Sequence, residues 1–140
     1  AGIWLLCRVA FGDGAVGREF VPVTLYWGTR QASFTALRDT GNTLRDPITG
    51  EPVLVVSGKI GEKLTGLSRN QLAAPMETLA AGGIPGARLV TYHAVGTAGG
   101  MLLALPLLAG TGKKKRRVLV AFAPEGLENG RYQGLTGGAI

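Results

Sequence analysis

Apolar and polar positions alternate with a period of two in several short stretches separated by glycine-rich breaks, the signature of strands rather than helices. Phe20 to Trp27 is the clearest: Val21, Val23 and Leu25 fall on one face, and Pro22, Thr24 and Tyr26 on the other. Trp27-Gly28-Thr29-Arg30 turns the chain, and Gln31 to Leu37, with Phe34 and Ala36, supplies the hairpin partner; Tyr26 and Trp27 read as packing and hairpin residues. Pro52-Val53-Leu54-Val55-Val56 is a continuous apolar run bounded by Ser57-Gly58, the pattern of a strand buried on both faces. Ala87 to Val95 and Met101 to Leu108 predict two further strands joined through Gly96 to Gly100, and Val118 to Ala123 predicts another. Residues 3–10 are apolar up to Gly12-Asp13-Gly14 and predict a first strand or a tail packed on the body. One segment has helical spacing. Ser68 can cap it, Leu72, Ala73, Met76, Leu79 and Ala80 recur through Ala81, and Gly82-Gly83 stops it. Pro75 inside that run predicts a short, kinked or late-starting helix, with Met76 as a core contact. The result is a mainly β domain with one short helix.

Length fits this picture, because 140 residues make one domain, 1–140, large enough to bury a core. Charge adds a candidate surface. The net charge is +6, and Lys113, Lys114, Lys115, Arg116 and Arg117 supply five of the fifteen basic residues. Such a balance suits an acidic protein, a nucleic acid or an anionic membrane surface. The run sits between Gly110-Thr111-Gly112 and the strand from Val118, which predicts a solvated hairpin turn; as a functional element it would bind an acidic substrate segment or lipid headgroups. No aromatic interleaving or groove-reading motif accompanies it, so nucleic acid is not an expected partner. The single cysteine, Cys7, excludes an intrachain disulfide and fits a reducing compartment. One Cys and one His cannot make a metal site, and no cofactor is expected.

No stretch is long enough to cross a membrane as a helix: the longest apolar run, Met101 to Ala109, contains Pro106 and falls far short of the roughly 20 residues required. Ile3-Trp4-Leu5-Leu6-Cys7 is too short, and lacks the basic start, for a signal peptide.

The candidate chemistry lies directly after the second strand, in Asp39-Thr40-Gly41. Asp-Thr-Gly behind an apolar strand is the active-site pattern of aspartic proteases. These hold a water between two carboxylates: one is ionised and takes the water's proton, the other is protonated and polarises the scissile carbonyl. Two like charges that close cannot both ionise, so one proton is shared. Thr40 would bond across the site through its hydroxyl, and Gly41, without a Cβ, would let the backbone turn tightly and a substrate chain approach. The same tripeptide also makes an ordinary turn, and from these residues alone both readings stand. Asp46-Pro47 opening a turn that ends in Gly50 is explained by side-chain bonding to the backbone and the fixed proline φ. His93, on a strand, reads as structural or surface, since the mechanism does not require it.

The wider pattern decides between them. Thr35 to Val53, read as TALRDTGNTLRDPITGEPV, resembles the protease-domain signature of the sporulation sigma-E factor processing peptidases of endospore-forming bacteria. Further similarities follow in order at Arg88 to Gly96, at Gly100-Met101-Leu102-Leu103 and at Arg131-Tyr132-Gln133-Gly134-Leu135, so the resemblance spans roughly residues 20–140. It implies a retropepsin-like closed β-barrel lobe and an aspartic endopeptidase that processes a sigma-factor precursor. It also implies a flap over the substrate, here Gly96, Thr97, Ala98, Gly99 and Gly100, and terminal strands that interlace between subunits. Pepsin-type enzymes carry two aspartates on two lobes; one Asp-Thr-Gly and one lobe require two copies, hence a symmetric homodimer with Asp39 of each subunit face to face. Because the resemblance implies an N-terminal membrane-embedded domain, and the chain does not begin with Met, the sequence reads as the soluble protease portion of a longer membrane protein, facing the cytoplasm. Several positions depart from the family pattern: Arg38 precedes the aspartate in place of an apolar residue, Ala121 stands where the glycine of the second active-site loop is expected, and Gly137-Gly138 replaces a proline-bearing ending. On a strand Arg38 points away from Asp39. These departures keep two rivals open: a non-catalytic dimeric peptide-binding or signalling module of the same fold, and a basic membrane-surface-binding β domain using Lys113 to Arg117.

Overall fold

A computed structural model describes residues 19–38, 45–46, 48–92, 100–127 and 130–137. Among the described residues, seven strands and three short helices follow the order β1 (Glu19–Trp27), β2 (Arg30–Arg38), β3 (Val53–Ser57), α1 (Gly58–Thr65), α2 (Arg69–Leu72), α3 (Pro75–Ala81), β4 (Arg88–Tyr92), β5 (Gly100–Thr111), β6 (Lys114–Ala123) and β7 (Gly134–Thr136). The sheet order is β1-β2-β7-β3-β6-β5-β4, and β1 also pairs with β5. That last pairing closes six strands into a barrel and leaves β4 outside it, on the edge of β5. The mainly β, closed-barrel expectation therefore holds.

Two pairings in the barrel are parallel. β2 runs with β7, Arg38 opposite Thr136, and β3 runs with β6, Val53 opposite Leu119. Short β7 is thus inserted between β2 and β3, antiparallel to β3 with Val55 opposite Leu135. Gln133 sets up the insertion: its amide donates to the Thr35 carbonyl at 2.8 Å and its carbonyl accepts from the Ser57 amide at 2.9 Å. Gly134 makes it sterically feasible, because a Cβ there would lie 2.7 Å from Cε2 of Phe34 and 3.3 Å from the Val55 carbonyl oxygen.

Alternation along the strands divides the core into two sets. Leu54 and Val56 of β3, Val118, Val120 and Phe122 of β6, and Leu103, Leu105 and Leu107 of β5 pack with Val23, Leu25 and Phe34, and this cluster takes in Ile60, Leu64 and Leu72 of the helices. Val53 and Val55, Leu119, Ala121 and Ala123, and Leu102 and Ala104 point the other way and cluster with Leu37, Val90, Leu127 and Leu135. Strand β3, and β6 from Val118 onward, are buried on both faces, which is why Pro52 to Val56 reads as an unbroken apolar run.

The helical region differs from the expected single element. Of the outcomes expected from Pro75, the short, late-starting helix holds: Pro75 occupies the first turn of α3, where its missing N–H costs nothing, and Ser68 caps the separate one-turn α2 through a capping box with Gln71. Met76 is exposed, so the packing contact of α3 comes from Leu79 rather than from it. Helix α1 buries Ile60, Gly61 and Leu64 on one face. Ser57 caps it by accepting from the Ile60 amide, and Gly66 ends it in the left-handed region at φ 77°, its N–H bonded to the Glu62 carbonyl. The basic run also differs from a simple turn: Gly112-Lys113 makes the turn, while Lys114 to Arg117 belong to β6. The expected strand or tail at 3–10 and the terminal Ile140 lie outside the described residues.

Candidate active site

Asp39, Thr40 and Gly41, and Gly96, Thr97, Ala98 and Gly99 of the expected flap, lie outside the described residues, as does His93. What the structure supplies is the frame that holds both segments. The first begins at the end of β2, where Leu37 and Arg38 pair in parallel with Leu135 and Thr136; Leu135 and Thr136 are buried. Arg38 forms an ion pair with Glu19, its cross-strand neighbour on β1, so its charge is answered by a carboxylate of the body.

The far end of the segment is fastened at Arg45, which forms an isolated antiparallel bridge with Pro52. Between them a turn folds on Asp46. Its amide donates to the Glu51 carbonyl and its carbonyl accepts from the Gly50 amide, both at 2.8 Å. The carboxylate does more. Oδ1 accepts from the Ile48 amide at 3.0 Å, and Oδ2 accepts from the Thr49 hydroxyl at 2.9 Å and from Arg88 Nη1 at 3.1 Å. Arg45 Nη1 donates to the Gly50 carbonyl at 3.0 Å and closes the turn from the other side. Asp46 is 2% exposed. Burial pushes its carboxyl up, but the Ile48 amide, the Thr49 hydroxyl and the Arg88 guanidinium outweigh that and hold it below the usual carboxylate range. A carboxylate so saturated and so firmly ionised is an anchor. It is not a proton donor.

Arg88 is the residue that sequence reasoning missed. It opens β4, far from Asp46 in sequence, and no spacing signals the pair. Strand β4 continues to Tyr92, immediately before the 93–99 segment, and the chain re-enters at Gly100, which is the first residue of β5 and pairs with Tyr92. Of the expected flap residues Gly100 is therefore a strand position. A Cβ there would sit 2.6 Å from the Tyr92 hydroxyl, so the strand pair closes over this glycine. One half-buried ion pair thus ties the turn that follows Asp39 to the strand that leads into 93–99.

Ala121 lies within β6, fully buried between Val55 and Ala104, and is a strand-interior position in this fold rather than part of a loop. Among the described residues no group of three or more His, Cys, Asp or Glu is arranged to hold a metal ion, and no helix is long and apolar enough to cross a membrane.

A family model described as Peptidase_U4, Sporulation factor SpoIIGA, matches residues 5–137. No curated protein and no solved structure matches the chain.

Proposed function

Because the chain belongs to the sporulation factor SpoIIGA peptidase family, whose model covers nearly all of it, we propose that it is an aspartic endopeptidase working as a homodimer, with one Asp39 from each subunit. The family makes it a peptidase with a protein substrate; the aspartic mechanism, the dimer and a sigma-factor precursor as substrate are this proposal. In it, one Asp39 carboxylate takes a proton from water as the oxygen attacks the scissile carbonyl carbon. The other, protonated, gives its proton to the carbonyl oxygen. Collapse of the tetrahedral intermediate breaks the C–N bond, and the leaving amine takes a proton from the site. Thr40 braces the two loops, Gly41 admits the substrate backbone, and Gly96 to Gly100 form the flap. The whole protein would sit at the membrane through an N-terminal segment, with this domain on the cytoplasmic side.

The observation that carries the reading is the frame of the 39–44 segment: it leaves a strand locked in parallel to β7 and returns through a turn locked by Asp46. Asp46 is also the carboxylate nearest to Asp39 in the sequence on the C-terminal side, and its oxygens are already taken. A second subunit is the natural source of the partner carboxylate.

Cleavage of a co-expressed sigma-factor precursor tests this directly. Wild type should process it and Asp39→Ala should not, with both proteins accumulating equally. Continued processing by Asp39→Ala would remove Asp39 from the mechanism.

A further inference from the structure

The outer face of the β1–β2 hairpin is polar along most of its length: Thr24 and Ser33 share a hydroxyl–hydroxyl hydrogen bond of 2.8 Å across it, and Gln31 is exposed. At one end that face turns apolar. Phe20 stands there opposite Leu37, and from that end the chain enters the 39–44 segment. Leu37 is buried with Leu135 and the partly buried Tyr132, whereas Phe20 is 49% exposed. Its ring is braced by two neighbours. The Tyr132 ring centre lies 6.0 Å away at a tilt of 39°, and the Arg131 guanidinium carbon lies 5.5 Å from the centre of the Phe20 ring. Both braces belong to the stretch that leads into β7, the strand that pairs with the end of β2.

A lone exposed apolar side chain is ordinary. A braced ring beside the segment that carries the reacting group is not, because keeping half of it in water forgoes about 1 kcal/mol of burial. At the usual strand rise Asp39 would fall about 7 Å beyond Leu37, with alternation returning its side chain to the face of Leu37 and Phe20. A substrate lying over Asp39 would then run past the Phe20 ring. Two occupants could cover the ring, and size separates them. A stable contact with a second subunit needs about 800 Å² from each partner, while a half-exposed phenylalanine ring offers about 100 Å², the area of one side chain. We propose that Phe20, oriented by Tyr132 and Arg131, walls the subsite for one bulky apolar side chain of the protein substrate next to the bond that is cut.

The proposal rests on the Asp39 peptidase reading and adds a residue that sets specificity. An apolar side chain seated on the ring leaves water as the substrate binds, so Phe20 selects among sequences and takes no part in proton transfer. The size of the ring sets the width of the subsite. Shortening or enlarging it should therefore change which side chain is preferred, a signature that a purely structural brace does not have.

Cleavage of a mixed library of synthetic peptides by the full-length protein in isolated membranes, read by mass spectrometry, measures the preference. Wild type should favour leucine, methionine, phenylalanine or tyrosine at one position flanking the cut. Phe20→Ala should lower kcat/KM for those peptides about tenfold relative to peptides with alanine there, and Phe20→Trp should shift the preference to smaller side chains. Thermal unfolding should move little in both variants, since the position is half exposed. Indifference of wild type to that side chain, or an unchanged preference in both variants, would overturn the proposal. A uniform loss across all peptides that accompanies a lower dimer fraction in sedimentation would also overturn it and assign Phe20 to a subunit contact. Asp39→Ala separates the subsite from the reading beneath it: cleavage that persists in that variant refutes the catalytic assignment, whereas an unchanged preference in the Phe20 variants refutes the subsite alone.

Discussion

Replacing Arg88 by Met removes a guanidinium paired with a buried carboxylate, and the cost can be worked from the Asp46 geometry. Asp46 keeps two neutral donors in this variant, the Ile48 amide and the Thr49 hydroxyl, at 3.0 and 2.9 Å. It loses the guanidinium at 3.1 Å. Stranding one partner of a fully buried pair costs about 3–5 kcal/mol. Here the Arg88 side chain is 34% exposed and the carboxylate retains its turn bonds, so the cost falls to about 1–3 kcal/mol. Denaturant unfolding near neutral pH checks this through the midpoint, with the slope unchanged. The pH dependence has a fixed sign. Asp46 is held below its ordinary value of 3.8, so its contribution is fully present above that value and is lost as pH falls through its folded-state pKa. Without Arg88 two of the causes that lower the folded pKa are gone and it rises, so acidification destabilises wild type more than the variant and the gap closes. A gap that is absent at neutral pH, or that stays constant on acidification, would refute the anchoring role of the pair.

Two further outcomes follow from the fold. Gly134→Ala should destabilise by about 1–3 kcal/mol, since the added Cβ meets both the Phe34 ring and the Val55 carbonyl and overpacking forces β7 away from β2 and β3; thermal unfolding reads it. Mixing wild type with an excess of Asp39→Ala should suppress cleavage beyond simple dilution if each active site draws on two subunits, and activity proportional to wild type alone would exclude a shared site.

What could be read from the sequence follows the range of the interactions involved. The strands from Glu19 to Arg38 were legible because alternation and the Gly28-Thr29 turn are local, and Pro52 to Val56 because burial on both faces leaves no polar position. Helix α1 was hidden, since Gly58, Gly61 and Lys59 carry little helical signal; it forms because Ser57 and Gly66 cap it and because Gly61 lets it approach Leu72 and Phe122. Pro75 pointed to a short or late-starting helix, and the helix does start there; the separate one-turn helix before it, closed by the Ser68 capping box, was not legible. The strand β7 is too short for any period, and its place between β2 and β3 depends on Gln133 and Gly134 meeting residues distant in sequence. In the candidate site, the turn on Asp46 was legible from Asp46-Pro47 and Gly50, but its burial and its partner Arg88 were not.

The unforeseen pair changes what the turn is for. A turn held only by its own backbone would be independent of the rest of the barrel, whereas Asp46 fastens this one to β4, which pairs with β5. If Asp39 is the reacting group and Gly96 to Gly100 the flap, both share one anchor that neither touches substrate nor exchanges protons. Loosening it should therefore alter cleavage in two ways: a lower kcat from a less well placed Asp39, and a higher KM from a less well placed flap. Arg88→Lys tests the coupling, because it keeps the charge while losing the fixed guanidinium geometry. If the pair serves stability alone, Arg88→Lys changes the unfolding midpoint and leaves both kinetic constants at their wild-type values. If it positions the two segments, kcat falls and KM rises together at a temperature where the protein is fully folded.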